Sequence, residues 1–213
     1  MDGTLVNNYT AIYNTTAEAF AEAGLSAPDY ETIFRTVGGS ILITMQKLLA
    51  GSGREELAEK LAARYLDLYP RHTFDGLEMM PYADRILAAL KERGLKLACF
   101  TNKQQKGADE ILGKLGLDKY LDAVIATSLH SARKPDREFT EYALKTLSLE
   151  AGEIVGIGDS PYDYKAARVC GVASALVATG GDPAADLREK CPEALGVYAD
   201  FKELALGVFD IAL

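Results

Sequence analysis

Residues 153–163 read Glu-Ile-Val-Gly-Ile-Gly-Asp-Ser-Pro-Tyr-Asp. A short apolar run ends at Gly158 and passes directly into Asp159, Ser160 and Asp163. An apolar run of that length, bounded by turn residues, is the pattern of a buried strand, with its polar tail at the carboxyl end. The helix that follows, Tyr164 to Cys170, closes at Gly171. The same texture recurs along the chain. Leu95 to Phe100 precedes Thr101-Asn102-Lys103, Ala123 to Ala126 precedes a loop ending in Lys134-Pro135, and Ala173 to Val177 forms a last buried strand. Helical patterns at 82–93, 108–115 and 137–147 separate these runs, and 201–206 reads as a covering helix. Buried strands alternating with helices predict a doubly wound α/β fold, a parallel sheet covered on both faces.

Upstream of residue 77 the texture is wholly helical. Ala11, Ile12, Ala19, Phe20 and Ala23 recur at helical spacing before Gly24, and Tyr30 to Val37 ends at Gly38-Gly39. Ile41 to Leu49 stops before Gly51, after which Leu57, Leu61, Tyr65 and Leu68 stand three or four apart as the apolar core of the segment. The expected organisation is an α/β core of residues 1–8 and 78–213, with residues 9–77 inserted as a small α-helical cap. The chain has 213 residues, 48% of them hydrophobic, and a formal charge of −8. That composition supports a packed core and argues against broad contact with nucleic acid backbones. No apolar run approaches the length of a membrane-crossing helix, and no secretory signal pattern opens the sequence. Cys99, Cys170 and Cys191 are too scattered for a disulfide framework or a zinc site, so a cytoplasmic, reduced setting is expected.

In a doubly wound sheet, ligands bind beyond the carboxyl ends of the strands. The polar residues expected on that rim are Asp2-Gly3-Thr4, Thr101-Asn102-Lys103, Lys134 and Asp159-Ser160-x-x-Asp163. Carboxylates recruit a hard cation such as Mg²⁺. A lysine neutralises phosphoryl oxygens, hydroxyl and amide groups orient them, and a carboxylate can attack phosphorus. The set suits phosphoryl transfer.

These pieces in this order resemble the haloacid dehalogenase superfamily of phosphohydrolases. The separations agree, with 33 residues from Thr101 to Lys134 and 25 from Lys134 to Asp159. Thr-Asn-Lys at the second motif, followed by Gly116-Leu117 and Tyr120, is most similar to the phosphoglycolate phosphatase branch. The resemblance implies a Rossmann-like core with a helical cap and Mg²⁺-dependent hydrolysis of a small phosphomonoester through an aspartyl-phosphate. It implies that Asp2 is the general acid and then base, its backbone carbonyl also meeting Mg²⁺. Gly3, Thr4, Thr101, Asn102 and Lys134 would hold the phosphoryl group. Asp159 would ligate Mg²⁺ directly, and Asp163 would do so through water or would hold Lys134. Ser160, like Thr4, would orient its neighbours.

The superfamily pattern is Asp-x-Asp-Gly-Thr, and Met1 occupies the x. The nucleophilic Asp is therefore expected one residue ahead of Met1, preceded by an apolar strand lying between the strands that end at Phe100 and Gly158. Without that strand a gap near 10 Å would separate them. Two other readings stand beside the phosphatase. A phosphomutase would use Asp2 in the same way, and a non-catalytic phosphate-binding protein would keep the pocket without a nucleophile. A dehalogenase would not need an acid at Asp2. In the cap, Arg35 is the candidate to meet a substrate carboxylate, because a guanidinium binds such groups bidentately, with Gly38 beside it. His72 and His130 read as solvated loop residues, and Cys99 as core packing. The expected partner is a small phosphorylated metabolite, with neither nucleic acid nor membrane.

Overall fold

A computed structural model describes residues 1–127 and 132–213. The chain enters through a short strand, β1 (Val6–Asn7), and runs into four helices: α1 (Tyr9–Glu22), α2 (Tyr30–Thr36), α3 (Ile41–Leu49) and α4 (Ala58–His72). It returns through β2 (Glu78–Met79), which pairs antiparallel with β1, Val6 opposite Met79 and Asn7 opposite Glu78. The two connections of the helical segment are therefore hydrogen-bonded to each other. α4 turns Leu61, Ala62, Tyr65, Leu68 and Tyr69 inward at helical spacing, against α1 and α3. The apolar cluster formed there continues through Tyr9 and Met80 to Ala83, Ala175 and Phe201.

The remainder alternates strand and helix, as the sequence predicts: α5 (Ala83–Glu92), β3 (Ala98–Gln104), α6 (Gln105–Leu115), β4 (Ala123–Thr127), α7 (Arg137–Leu147), β5 (Val155–Gly158), α8 (Pro161–Arg168) and β6 (Ala173–Val177). α9 (Ala184–Lys190), β7 (Val197–Tyr198) and α10 (Phe201–Phe209) complete the chain. The described strands of this part pair only in parallel, β3 with β4 and β5 with β6 and β7. β3 and β5 do not pair with each other. They face one another across an apolar cavity of about 350 Å³, lined by Leu87, Leu97, Phe100, Ile125 and Ile157.

Several boundaries differ from the sequence reading, and three of them bear on the site. The strand expected over 95–100 begins at Ala98, because the Asp122 carboxylate accepts from the Leu97 N–H at 2.7 Å, where a ladder bond would otherwise lie. It continues to Gln104 across an irregularity after Phe100, so Thr101, Asn102 and Lys103 stand on the strand instead of beyond it. α8 starts at Pro161, three residues early, since Ser160 and Asp163 close a capping box and the proline fits the first helical position. α9 and β7 were not expected at all.

His72 corrects the solvated-loop reading. It is the last residue of α4, and its two ring nitrogens lie 2.6 Å from Glu18 Oε2 of α1 and 2.7 Å from Asp75 Oδ2. His130 lies outside the described residues. The bond to Glu18, helped by Asp75, holds the imidazolium of His72 above its usual range despite partial burial. A group whose pKa is raised by folding contributes its stability in full below the unfolded value near 6.5 and loses it as pH rises through the folded value. His72→Gln is therefore expected to cost about 1 kcal/mol at pH 6, solvent screening included, and clearly less at pH 9, measured by urea unfolding at both pH values.

Candidate active site

Residues 1–6 wrap tightly around one carbonyl. The backbone N–H groups of Thr4, Leu5 and Val6 all donate to Met1 O, at 3.1, 2.8 and 3.1 Å. Gly3 makes the turn at φ +77°, a conformation that side chains rarely adopt. The turn delivers Thr4 to Asp159, whose Oδ1 accepts from Thr4 Oγ1 at 2.6 Å. Thr179, just beyond β6, donates to Gly3 O at 2.6 Å and fixes the turn from the other side. Gly3 and Thr4 thus stand behind Asp159 and position it; neither lines the cavity in front.

That cavity holds about 540 Å³ between the helical segment and the strand ends, and its wall includes Asp2, Gly38, Thr101, Lys134, Asp159 and Ser160. The structure therefore brings together residues up to 158 positions apart in sequence, as the motif order predicts. The buried ammonium of Lys134 donates to Phe100 O at 3.0 Å and to Asp163 Oδ1 at 2.7 Å. The other oxygen of Asp163 accepts from the Ser160 N–H at 3.1 Å and its hydroxyl at 2.6 Å. Both oxygens of Asp163 are thus engaged within the protein. Of its two expected roles, the geometry displays the holding of Lys134.

Asn102 departs from its expected role. Its side-chain amide is taken up by one backbone segment: Nδ2 donates to Lys134 O at 3.1 Å and Oδ1 accepts from Lys134 N at 2.7 Å. The amide clamps the Lys134 loop to β3, which leaves one Nδ2 hydrogen and the main-chain N–H of Asn102 for a phosphoryl oxygen. Arg35 also departs. It forms an ion pair with Glu31 at 2.6 Å, is half exposed, and is absent from the cavity wall. Ile33 takes the buried face of α2 and leaves Arg35 on the outer one.

The carboxylates differ in their environments. Burial, followed by the charge of Asp163, raises the Asp159 carboxyl well above the usual range. Burial would also raise Asp163, but the Lys134 ammonium outweighs it and holds Asp163 low. Burial pulls Lys134 down, yet Asp163 more than offsets this and the ammonium is stabilised. Among the described residues Asp159 forms no ion pair, and Thr4 engages only its Oδ1, which leaves Oδ2 for a hard ion. Among the described residues, no three His, Cys, Asp or Glu gather closely enough to form a metal cage of side chains alone. Mg²⁺ does not require one, since it keeps waters and accepts carbonyl donors. Asp2 also has an unfilled acceptor: its Oδ1 is buried without a hydrogen-bond partner.

Two residues of the site were not singled out from sequence. Lys103 reaches Asp2 Oδ2 at 3.4 Å, and Tyr69 lies under its ammonium at 4.3 Å from the ring centroid. Lys103 was quoted only as the last member of Thr-Asn-Lys, and Tyr69 only lies one helical turn beyond Tyr65. Gly180 is a third. A Cβ there would fall on Asp159 Oδ2. Gly180→Ala is therefore expected to displace the Asp159 carboxylate and to lower stability by about 1–3 kcal/mol, read as a shift of the denaturation midpoint at constant slope.

Comparison with known proteins agrees with this geometry. Residues 1–177 match the family described as haloacid dehalogenase-like hydrolase. A phosphoglycolate phosphatase of Rhodospirillum rubrum is 33% identical over 96% of this chain and 86% of its own length. A plasmid-borne phosphoglycolate phosphatase of Cupriavidus necator is 31% identical over 87% of this chain and 83% of its own. Among solved structures, a predicted phosphatase from Clostridium acetobutylicum superposes with a TM-score of 0.88 at 21% identity, covering 99% of this chain and 96% of the other. A hydrolase from Pseudomonas syringae gives a TM-score of 0.80 at 26% identity, covering 100% and 96%.

Proposed function

This chain belongs to the haloacid dehalogenase-like hydrolases and is a phosphoric monoester hydrolase, and on that premise we propose that its substrate is the phosphate ester of a small hydroxy acid, similar to phosphoglycolate. The observation that carries the reading is the meeting of Asp2, Thr101, Lys134 and Asp159 at one cavity beyond the strand ends. Lys134 and the Thr101 hydroxyl would hold the phosphoryl oxygens, with backbone N–H groups of β3 beside them. Asp2 has an oxygen free to meet the ester oxygen and would give it a proton as the P–O bond breaks. It would then take a proton from the water that releases phosphate. The attacking carboxylate would be the Asp expected beside Met1, on an apolar strand between β3 and β5, a placement that the apolar cavity between those strands supports; its attack on phosphorus would give an aspartyl-phosphate. Asp159 and the Asp2 carbonyl are the donors that would hold Mg²⁺, which when bound supplies positive charge to the phosphoryl oxygens.

We further propose residues 9–77 as a cap over the core of 1–8 and 78–213. The paired strands β1 and β2 support this reading, because they are the two places where the chain crosses. Closure would exclude water from the phosphoryl site. Three approaches of cap to core also support it: Gly38 to Ser160, Gly39 to Tyr162, and the Phe34 carbonyl to Gly181.

The test is phosphate release from 2-phosphoglycolate with Mg²⁺, without a bisphosphate activator, by a chain extended upstream with the apolar strand and its Asp. Asp2→Asn in that chain is expected to lower kcat by about 10²- to 10⁴-fold. The 213-residue chain is expected to release far less than the extended one. Equal turnover in both would remove the proposed nucleophile, and a requirement for a bisphosphate would favour a mutase.

A further inference from the structure

Lys103 and Lys134 both line the cavity, and their ammonium groups differ in how fully they are bonded. Lys134 makes two short bonds, to Phe100 O and to Asp163. Lys103 makes one contact with a carboxylate, at 3.4 Å, well beyond the 2.7–2.9 Å of a charge-assisted bond. Its second neighbour is the face of Tyr69. The side chain is only 10% exposed, so water does little to complete the shell. A lysine ammonium carries three donors and stays charged at neutral pH. Spare donors in an enclosed cavity are costly unless a ligand takes them.

The surroundings hold this ammonium in place. The Lys103 stem lies along α6 beside Gly107, where a Cβ would meet Lys103 Cε at 3.6 Å. Tyr69 is fixed in turn, its hydroxyl accepting from the buried Asn8 amide at 3.1 Å and its ring stacked 5.5 Å from Tyr65. Next to the ammonium, Asp2 Oδ1 is buried and unpaired. The pair therefore offers an unfilled acceptor and unfilled donors side by side.

We propose that Lys103 determines specificity by receiving a second anionic group of the substrate, a carboxylate attached close to the ester oxygen that Asp2 protonates. This rests on the reading of the site as a phosphomonoester hydrolase and names the group that selects the substrate. The spacing sets the chain length. With Asp2 Oδ2 and Lys103 Nζ 3.4 Å apart, an ester oxygen on one and a carboxylate oxygen on the other suit a span of about three or four bonds, with one or two carbons before the carboxyl carbon. A neutral tail of the same length leaves the ammonium without its partner. Arg35, the cation expected for this task, is bonded outside the cavity.

Binding of two phosphonates to the full chain tests this without turnover. In 3-phosphonopropionate a non-hydrolysable P–C bond replaces the ester, and the carboxylate is kept; propylphosphonate has a neutral tail of equal length. Calorimetry with Mg²⁺ present is expected to show the wild type preferring 3-phosphonopropionate by about 10- to 100-fold, the worth of one or two charge-assisted bonds. Lys103→Met is expected to bring the ratio close to one, and Lys103→Arg to keep most of it. Equal wild-type affinities overturn the proposal while leaving the phosphatase reading intact, as does an undiminished ratio in Lys103→Met. If Lys103→Met fails to fold, the wild-type ratio and that of Lys103→Arg still decide. Binding of neither phosphonate overturns both this assignment and the phosphoryl site beneath it.

Discussion

The ion pair between Lys134 and Asp163 is the constraint on which the site depends. It links the loop after β4 to the first turn of α8 at 2.7 Å, and both side chains are almost wholly withdrawn from water. Such a pair adds little net stability, because desolvation offsets most of the attraction. Breaking it is another matter, since the surviving partner becomes an uncompensated buried charge at a cost of about 3–5 kcal/mol. Its value lies in position. The Asn102 amide grips the backbone on both sides of the Lys134 Cα, and Phe100 O accepts a further hydrogen bond from the ammonium. One strand, β3, and the first turn of α8 thereby hold one cation at one point of the rim.

The same logic explains why the glycines nearest the site are glycines. A Cβ at Gly158 would run into Asp163, and one at Gly180 or Gly3 into Asp159. Backbone from three separate segments has been brought as close to the carboxylates as a chain without side chains allows. The carboxylates cannot relax away from one another, and this enforced proximity is part of what raises Asp159. Preorganisation of this kind is set by folding before any ligand arrives.

Much of this was legible in the sequence, for a definable reason. Lys134, Asp159 and Asp163 each follow a buried apolar run, and strand ends in a parallel sheet converge. Side-chain direction is where the reading failed. Asn102 and Lys103 both line the cavity, but nothing in Thr-Asn-Lys says that the amide turns back to the chain while the ammonium turns into the cavity. Arg35 failed for a similar reason: with Ile33 on the inner face of a two-turn helix, a residue two places on cannot share that face. His72 was read by type, and its partners Glu18 and Asp75 come from α1 and from beyond α4, a juxtaposition that only tertiary packing creates. β7 has two residues and no period to detect.

The charges at the cavity make a further argument about what the site accepts. Five carboxylates line the cavity, Asp2, Glu59, Glu110, Asp159 and Asp163, with four cations, Lys103, Lys106, Arg133 and Lys134. The balance is already one negative charge in excess, and a phosphoester dianion would deepen it in a low-dielectric pocket where each uncompensated charge is expensive. The proposed Mg²⁺ beside Asp159 meets the deficit at the phosphoryl end, and it does so where the carboxylate forms no ion pair among the described residues. At the other end of the substrate no such ion is needed. There Lys103 stands half-bonded beside the group that gives the proton, so the two ends of a short dianionic ester with a carboxylate tail would be neutralised by different means, one by a borrowed ion and one by a residue of β3.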